Sequence, residues 1–246
     1  MVIAGLGFGF GALSGYTGVG PGVLIAPALV YLFGLTAVRA QGAALTLMLA
    51  AAVPSVVIYA SGGHSDWSAA GLAALGAIIG AVIGTKLVAG KNQKYQKTVS
   101  RVVSVGLLAV GIYIILAING INDVPTAGIN AAEGFLAGLA AGVVGGAAGI
   151  ASGAVLIPLL TIPLGVHQKI AHFVALAAVI PASLPLVIAH ITSGDVSRKT
   201  VVWLAVGSFL GACVGAAVAV KTPPALLATL FGVFLVLIST IALTKR

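Results

Sequence analysis

The sequence predicts an all-α polytopic membrane protein, because it is apolar throughout, carries little charge, and is divided into runs long enough to cross a bilayer. Hydrophobic residues fill 60% of its 246 positions and charged residues only 7%, at a mean hydropathy of +1.21. A soluble globule of this length needs more polar surface than that. In hydrocarbon every backbone group must be satisfied within the protein, which leaves helices or a closed barrel. Barrel strands read as short alternating segments; the long unbroken apolar runs here read as helices.

A span needs about 20 apolar residues. Six runs have that length: 41–60, 68–89, 99–118, 171–191, 200–220 and 225–243. Two more, 2–35 and 132–164, are too long for one span, and a Gly-rich stretch interrupts each, giving about eight apolar segments in all. Subtracting 131 maps Gly146, Gly149, Gly153, Pro158 and Pro185 onto Gly15, Gly18, Gly22, Pro27 and Pro54. It also maps Gly207, Gly211 and Gly215 onto Gly76, Gly80 and Gly84. We read two homologous membrane repeats, 1–118 and 132–246, joined by a linker over 119–131. Each repeat is one broken segment followed by three transmembrane helices. The Gly76, Gly80, Gly84 series and its copy put glycine at every helical turn on one face, which predicts close helix contact.

Charge constrains the topology. If each broken segment crosses once, one side carries eight Lys/Arg and the other four. If each is a re-entrant hairpin the second repeat is inverted, and the division becomes ten against two, with only Lys169 and Lys221 on the poorer side. The excess of Lys and Arg on cytoplasmic segments favours the hairpin. That arrangement puts both termini in the cytoplasm, whereas both arrangements put 91–101 there. The formal charge of +8 follows from topology and anionic lipid headgroups, not from nucleic acid. The first residues lack a basic segment and cleavage site and read as retained structure. The single Cys213 permits no internal disulfide, and no pattern implies a metal, a cofactor or a catalytic set.

Function points to the breaks. The first reads Gly15-Tyr16-Thr17-Gly18-Val19-Gly20-Pro21-Gly22, with Pro21 suited to a helix's first turn. The second reads Gly146-Ala147-Ala148-Gly149-Ile150-Ala151-Ser152-Gly153, with Ser152 placed to cap the helix that follows. A helix N-terminus offers free N–H groups and about half a positive charge, an anion site without a charged side chain. Unwound backbone at membrane depth belongs in buried protein or along a cavity, and paired broken segments mark a transporter site near the midplane. The competing reading is that these glycines only allow kinks and packing.

Gly15, Gly18, Gly20, Gly22, Pro27 and Leu29, with their echo Gly146, Gly149, Gly153, Pro158 and Leu160, resemble the duplicated signature of the TauE/SafE sulfite-exporter family, also called the toluene-sulfonate uptake permease family. The resemblance covers the whole chain. It implies a multi-pass protein of the cell membrane that moves sulfite, sulfonates, thiosulfate or related small organic anions. The chain departs from the pattern at Pro21 and Ala151, where glycine is usual. It also has Gln41-Gly42-Ala43 and His172-Phe173-Val174 where a Gly-Thr-Ser-like stretch is expected.

Gln41 and His172 are themselves 131 apart, each at the start of the helix after a break. Polar residues there either line a cavity or meet the interface, and His172 could couple transport to protons. Lys86 reads as snorkelling, and His64, His167 and His190 as interfacial. No carboxylate lies mid-span. The expected function is a secondary transporter working by alternating access, with a proton or cation as coupling partner and membrane lipids as surroundings. The expected binding residues are Thr17, Gly18, Gly20, Gly22, Gln41, Gly149, Ser152, Gly153 and His172. The alternatives are an anion channel, or a membrane-embedded scaffold or enzyme subunit.

Overall fold

The computed structural model describes residues 2–19, 25, 29–30, 37–117, 129–148, 152–192 and 198–244. All regular structure among them is helical: α1 (Val2–Thr17), α2 (Ala37–Ser61), α3 (Trp67–Val88), α4 (Gln93–Leu116), α5 (Ala131–Ala148), α6 (Gly153–Thr161), α7 (Gln168–Thr192), α8 (Arg198–Lys221) and α9 (Pro224–Thr244). Six of these are long and apolar enough to cross a membrane, and α7 adds a shorter apolar stretch, Gln168–Leu184. Their outward faces are apolar: Val57, Leu75, Val102, Leu116 and Leu136 are all more than half exposed. For a chain of this composition, that surface faces lipid.

The most extensive contacts join helices from opposite halves of the sequence. A Cβ at Gly76, Gly80 or Gly84 of α3 would run into the carbonyl oxygens of Phe135, Leu139 or Val143 of α5. Reciprocally, Gly138, Gly142 and Gly146 sit on the carbonyls of Ala73, Ala77 and Ala81. Between α1 and α8 the arrangement recurs: Gly207, Gly211 and Gly215 sit on Ala4, Phe8 and Ala12, and Gly7, Gly11 and Gly15 on Leu204, Ser208 and Ala212. Small residues at each turn let two backbones touch, which in lipid is the main source of helix association. Each of these six glycine contacts at one interface maps onto the other by 131 positions. The helix bounds do likewise, since 37 + 131 = 168 and 61 + 131 = 192 carry α2 onto α7.

Residue numbers rise together along both interfaces, so α1 runs parallel to α8, and α3 to α5. At one end of the bundle α2 finishes, α3 and α7 begin, and α8 finishes. There His64 stacks on His167, Trp67 meets Phe173 edge-on at 5.0 Å, and the Lys169 ammonium donates to the Val220 carbonyl at 2.6 Å. By the parallel pairing α5 also begins at this His64 end, whereas α1 begins at the other. The other end is basic: the turn from α3 to α4 carries Lys91, the first turns of α4 carry Lys94, Lys97 and Arg101, and α8 starts there with Arg198. Lys86, near this end, is exposed, as a snorkelling side chain should be. Glu133 and Asp66 serve helix starts, accepting from the N–H groups of Asn130 and Ala69.

Candidate functional site

The first break is a helix stop. The Gly18 N–H donates to the Ser14 carbonyl at 3.0 Å while Gly18 itself turns to φ +68°, the left-handed cap that ends many helices at glycine. Thr17, 2% exposed, spends its hydroxyl on the Leu13 carbonyl at 2.8 Å. Gly18 is also held by space: a Cβ there would lie 2.6 Å from His172 Cγ and 3.0 Å from His172 Cα. No other residue satisfies both the turn and that approach.

His172 is 0% exposed and sits in a chain of polar groups. The Gln168 Nε2, which can only donate, lies 2.9 Å from His172 Nε2. That nitrogen therefore accepts, and the ring proton is assigned to Nδ1. Nδ1–H then donates to the Tyr59 hydroxyl at 3.2 Å, and Tyr59 donates to the Gly15 carbonyl at 3.3 Å, with the Tyr16 carbonyl 3.5 Å away. Phe231 closes the other side of the ring, its centroid 5.6 Å from that of His172. The expectation of an interfacial alternative for His172 gives way to a buried, fully hydrogen-bonded imidazole.

The second break meets the first. Gly153, the first residue of α6, is buried, and a Cβ on it would lie 3.6 Å from the Gly18 carbonyl oxygen, 3.7 Å from Val19 Cα and 3.8 Å from Ala175 Cβ. Helix α6 is nine residues long and continues through Pro158. Ser152 does not cap it as expected: its backbone is already helical (φ −57°, ψ −27°) and its side chain makes no capping bond, because a side-chain cap needs an extended residue at that position. Its carbonyl instead accepts from Leu156 N–H at 2.8 Å and starts the helix. The end of α5 is held as the end of α1 is, by a hydroxyl from another helix. Buried Ser100 of α4 donates to the Ala148 carbonyl at 3.4 Å.

Of the expected site residues, Thr17, Gly18, Gly153 and His172 come together, with Ser152 one residue away in sequence. Gly20, Gly22 and Gly149 lie outside the described residues, as does the side chain of Gln41, although α2 includes its backbone. Sequence reasoning passed over Tyr59 and Gln168. Gln168 had a signal, standing one helical turn before His172 on the same face; Tyr59 is 113 residues from its partner and had none. At the His64 end, partial burial first, then the charge of Lys169, hold His64 and His167 below the ordinary imidazole pKa.

The family model described as sulfite exporter TauE/SafE matches residues 1–114 and 134–246. A "Probable membrane transporter protein" of Xylella fastidiosa (strain 9a5c) is 32% identical over 105 residues, 43% of this chain and 40% of that relative. The chain thus aligns with less than half the length of that relative. No solved structure matches it. With apolar spans throughout and a family match over nearly its whole length, the chain is a multi-pass protein of the cell membrane and belongs to the sulfite exporter TauE/SafE family.

Proposed function

We propose that the protein is a secondary carrier for a small oxyanion, a sulfur oxyanion or organosulfonate, and that it binds its substrate where the two glycine breaks meet. The observation that carries this reading is the approach of Gly153 to Gly18. It brings the free N–H groups and positive end of α6 beside the stop of α1, inside a buried, hydrogen-bonded shell. The family match and the transporter relative support the substrate class and the transport role.

The chain is two inverted copies of one unit, residues 1–118 and 132–246. Support comes from the shared offset of 131 in helix bounds and glycine contacts. Each broken segment is a hairpin: α1 and α2 both start at the basic end, α5 and α7 both at the His64 end. The basic end is then cytoplasmic and collects ten of the twelve Lys and Arg. Alternating access is rocking of the two swapped helix pairs, α1–α8 and α3–α5, about the breaks, driven by a gradient of protons or another cation.

Purified protein in proteoliposomes, challenged with radiolabelled sulfite, sulfate, thiosulfate, an alkyl sulfonate and a dicarboxylate, tests the proposal. Accumulation of one sulfur anion above its equilibrium level under an ion gradient is the expected result. Passive flux with unitary conductance would make the protein a channel, and inert vesicles would leave it a scaffold.

A further inference from the structure

At the His64 end a group of nitrogen donors lacks acceptors. The loop between α2 and α3 supplies His64 and the loop between α6 and α7 supplies His167, their rings stacked 5.7 Å apart at 13°. Lys169, in the first turn of α7, is only 8% exposed. Its ammonium gives one N–H to the Val220 carbonyl; among the described residues the other two have no partner. The backbone N–H of Lys169 donates to His167 Nδ1 at 3.4 Å, so the His167 proton resides on Nε2, which meets no acceptor among these residues. The His64 ring likewise has its stack and no hydrogen bond among them, its backbone N–H alone donating, to the Tyr59 carbonyl at 3.1 Å.

Among the described residues the acids at this end are engaged elsewhere. Asp66 accepts from Ala69 N–H and the Ser68 hydroxyl, and Glu133 from Asn130 N–H. The Lys169 stem is buried while its ammonium is partly open, and a partly desolvated cation that meets no carboxylate among the described residues favours an anionic partner. With surplus N–H groups converging from two loops and a helix, the fitting partner is an anion with several acceptor oxygens.

We propose that His64, His167 and Lys169 form a second anion site, an outer station that holds a small oxyanion at the end of the protein opposite its basic end. Gln168 lies between His167 and Lys169 in sequence, and its amide donates to His172, which packs on Gly18. The station is therefore one helical turn from the central cluster. Its use as an entry or exit step rests on the carrier reading, whereas the site itself rests on the donors.

The test is a titration of the full chain in nanodiscs, with the imidazole nitrogens labelled and the signals assigned from His64→Asn and His167→Asn. Sodium sulfate is the probe and sodium chloride at equal ionic strength the control. The His64 and His167 signals should shift saturably with sulfate alone. Lys169→Gln, which keeps length and an amide donor but loses the charge, should weaken the response at least tenfold, and Lys169→Arg should restore it. Shifts that never saturate, that chloride reproduces, or that survive Lys169→Gln would overturn the site. The parent titration decides even if a Lys169 variant does not fold. Uptake of sulfur anions by the parent protein in proteoliposomes is measured separately, so a failed carrier reading with a saturable sulfate response is distinguished from a failed site.

Discussion

Gly18→Ala should be among the most damaging single-methyl changes in the chain. The residue stands at φ +68°, where an L side chain costs about 1–2 kcal/mol. The new Cβ would also lie 2.6 Å from Cγ, 2.8 Å from Cβ and 3.0 Å from Cα of His172. Turning the imidazole does not relieve contacts to its own Cβ and Cα, so the end of α1 must move from α7, and over-packing of this kind costs about 1–3 kcal/mol. Together these make about 2–5 kcal/mol, a fall of roughly 4–20 °C in melting temperature for a chain of this size. Gly153→Ala is the matched contrast. Its nearest neighbours stand at 3.6 to 3.8 Å, ordinary contact, so stability should stay within about 1 kcal/mol of the parent. Thermal unfolding of both purified variants in one detergent compares them directly. A Gly18→Ala protein that melts with the parent, or a Gly153→Ala protein that falls as far, would refute the account of how the breaks are seated.

Other consequences are equally open to measurement. Tyr59→Phe removes the acceptor of His172 Nδ1–H and the donor to Gly15; a buried donor left unpaired costs about 1–3 kcal/mol, seen as a lower melting temperature. Gly80→Ala and Gly211→Ala each put a methyl on a neighbouring helix carbonyl and should destabilise alike by about 1–3 kcal/mol, whereas Gly106→Ala, with open space around it, should not. His64 and His167 have lowered pKa values when folded, so their unfolded forms bind protons more readily. Their contribution to stability is complete above the ordinary imidazole pKa of about 6.5 and falls as pH drops below it toward the folded values. Melting curves from about pH 8 to about pH 5 should show a steeper acid-side loss in the parent than in the His64→Asn/His167→Asn double variant. Tags on the two termini should react only after the cell membrane is permeabilised, and labelling of either from outside would exclude the inverted hairpin topology.

Hydropathy alone located five of the six long apolar helices to within about six residues, because a helix in lipid has to match the membrane's thickness, whereas the sixth, Ala131–Ala148, lay inside a segment read as broken. Runs 68–89 and 200–220 became Trp67–Val88 and Arg198–Lys221. The stops after Thr17 and Ala148 were also legible, since glycine announces where a helix may end. The glycine faces of α3 and α8 were legible as contact surfaces, but not their partners, because a face with no side chains carries no address. The same limit hid the polar chain around His172. Three of its members, Gly15, Tyr59 and His172, are brought together across 44 and 113 residues, and periodicity says nothing at that range. Ser152 failed as a cap for a local reason: its backbone joins the helix one residue early.

The swapped helix pairs also bear on how the protein is made. Helix α1 finds its glycine-faced partner only in α8, which is complete at Lys221. At about 5–20 residues per second of synthesis, roughly 10–40 s pass after Thr17 is joined before that partner exists. During this interval the first half sits in the membrane with the glycine face of α1 against lipid, and α3 waits in the same way for α5. Neither half has its closest packing within itself, so the halves produced as separate chains should mature only when both are present in one membrane. A nascent chain stalled before α8 is the form that the cell's membrane proteases will meet.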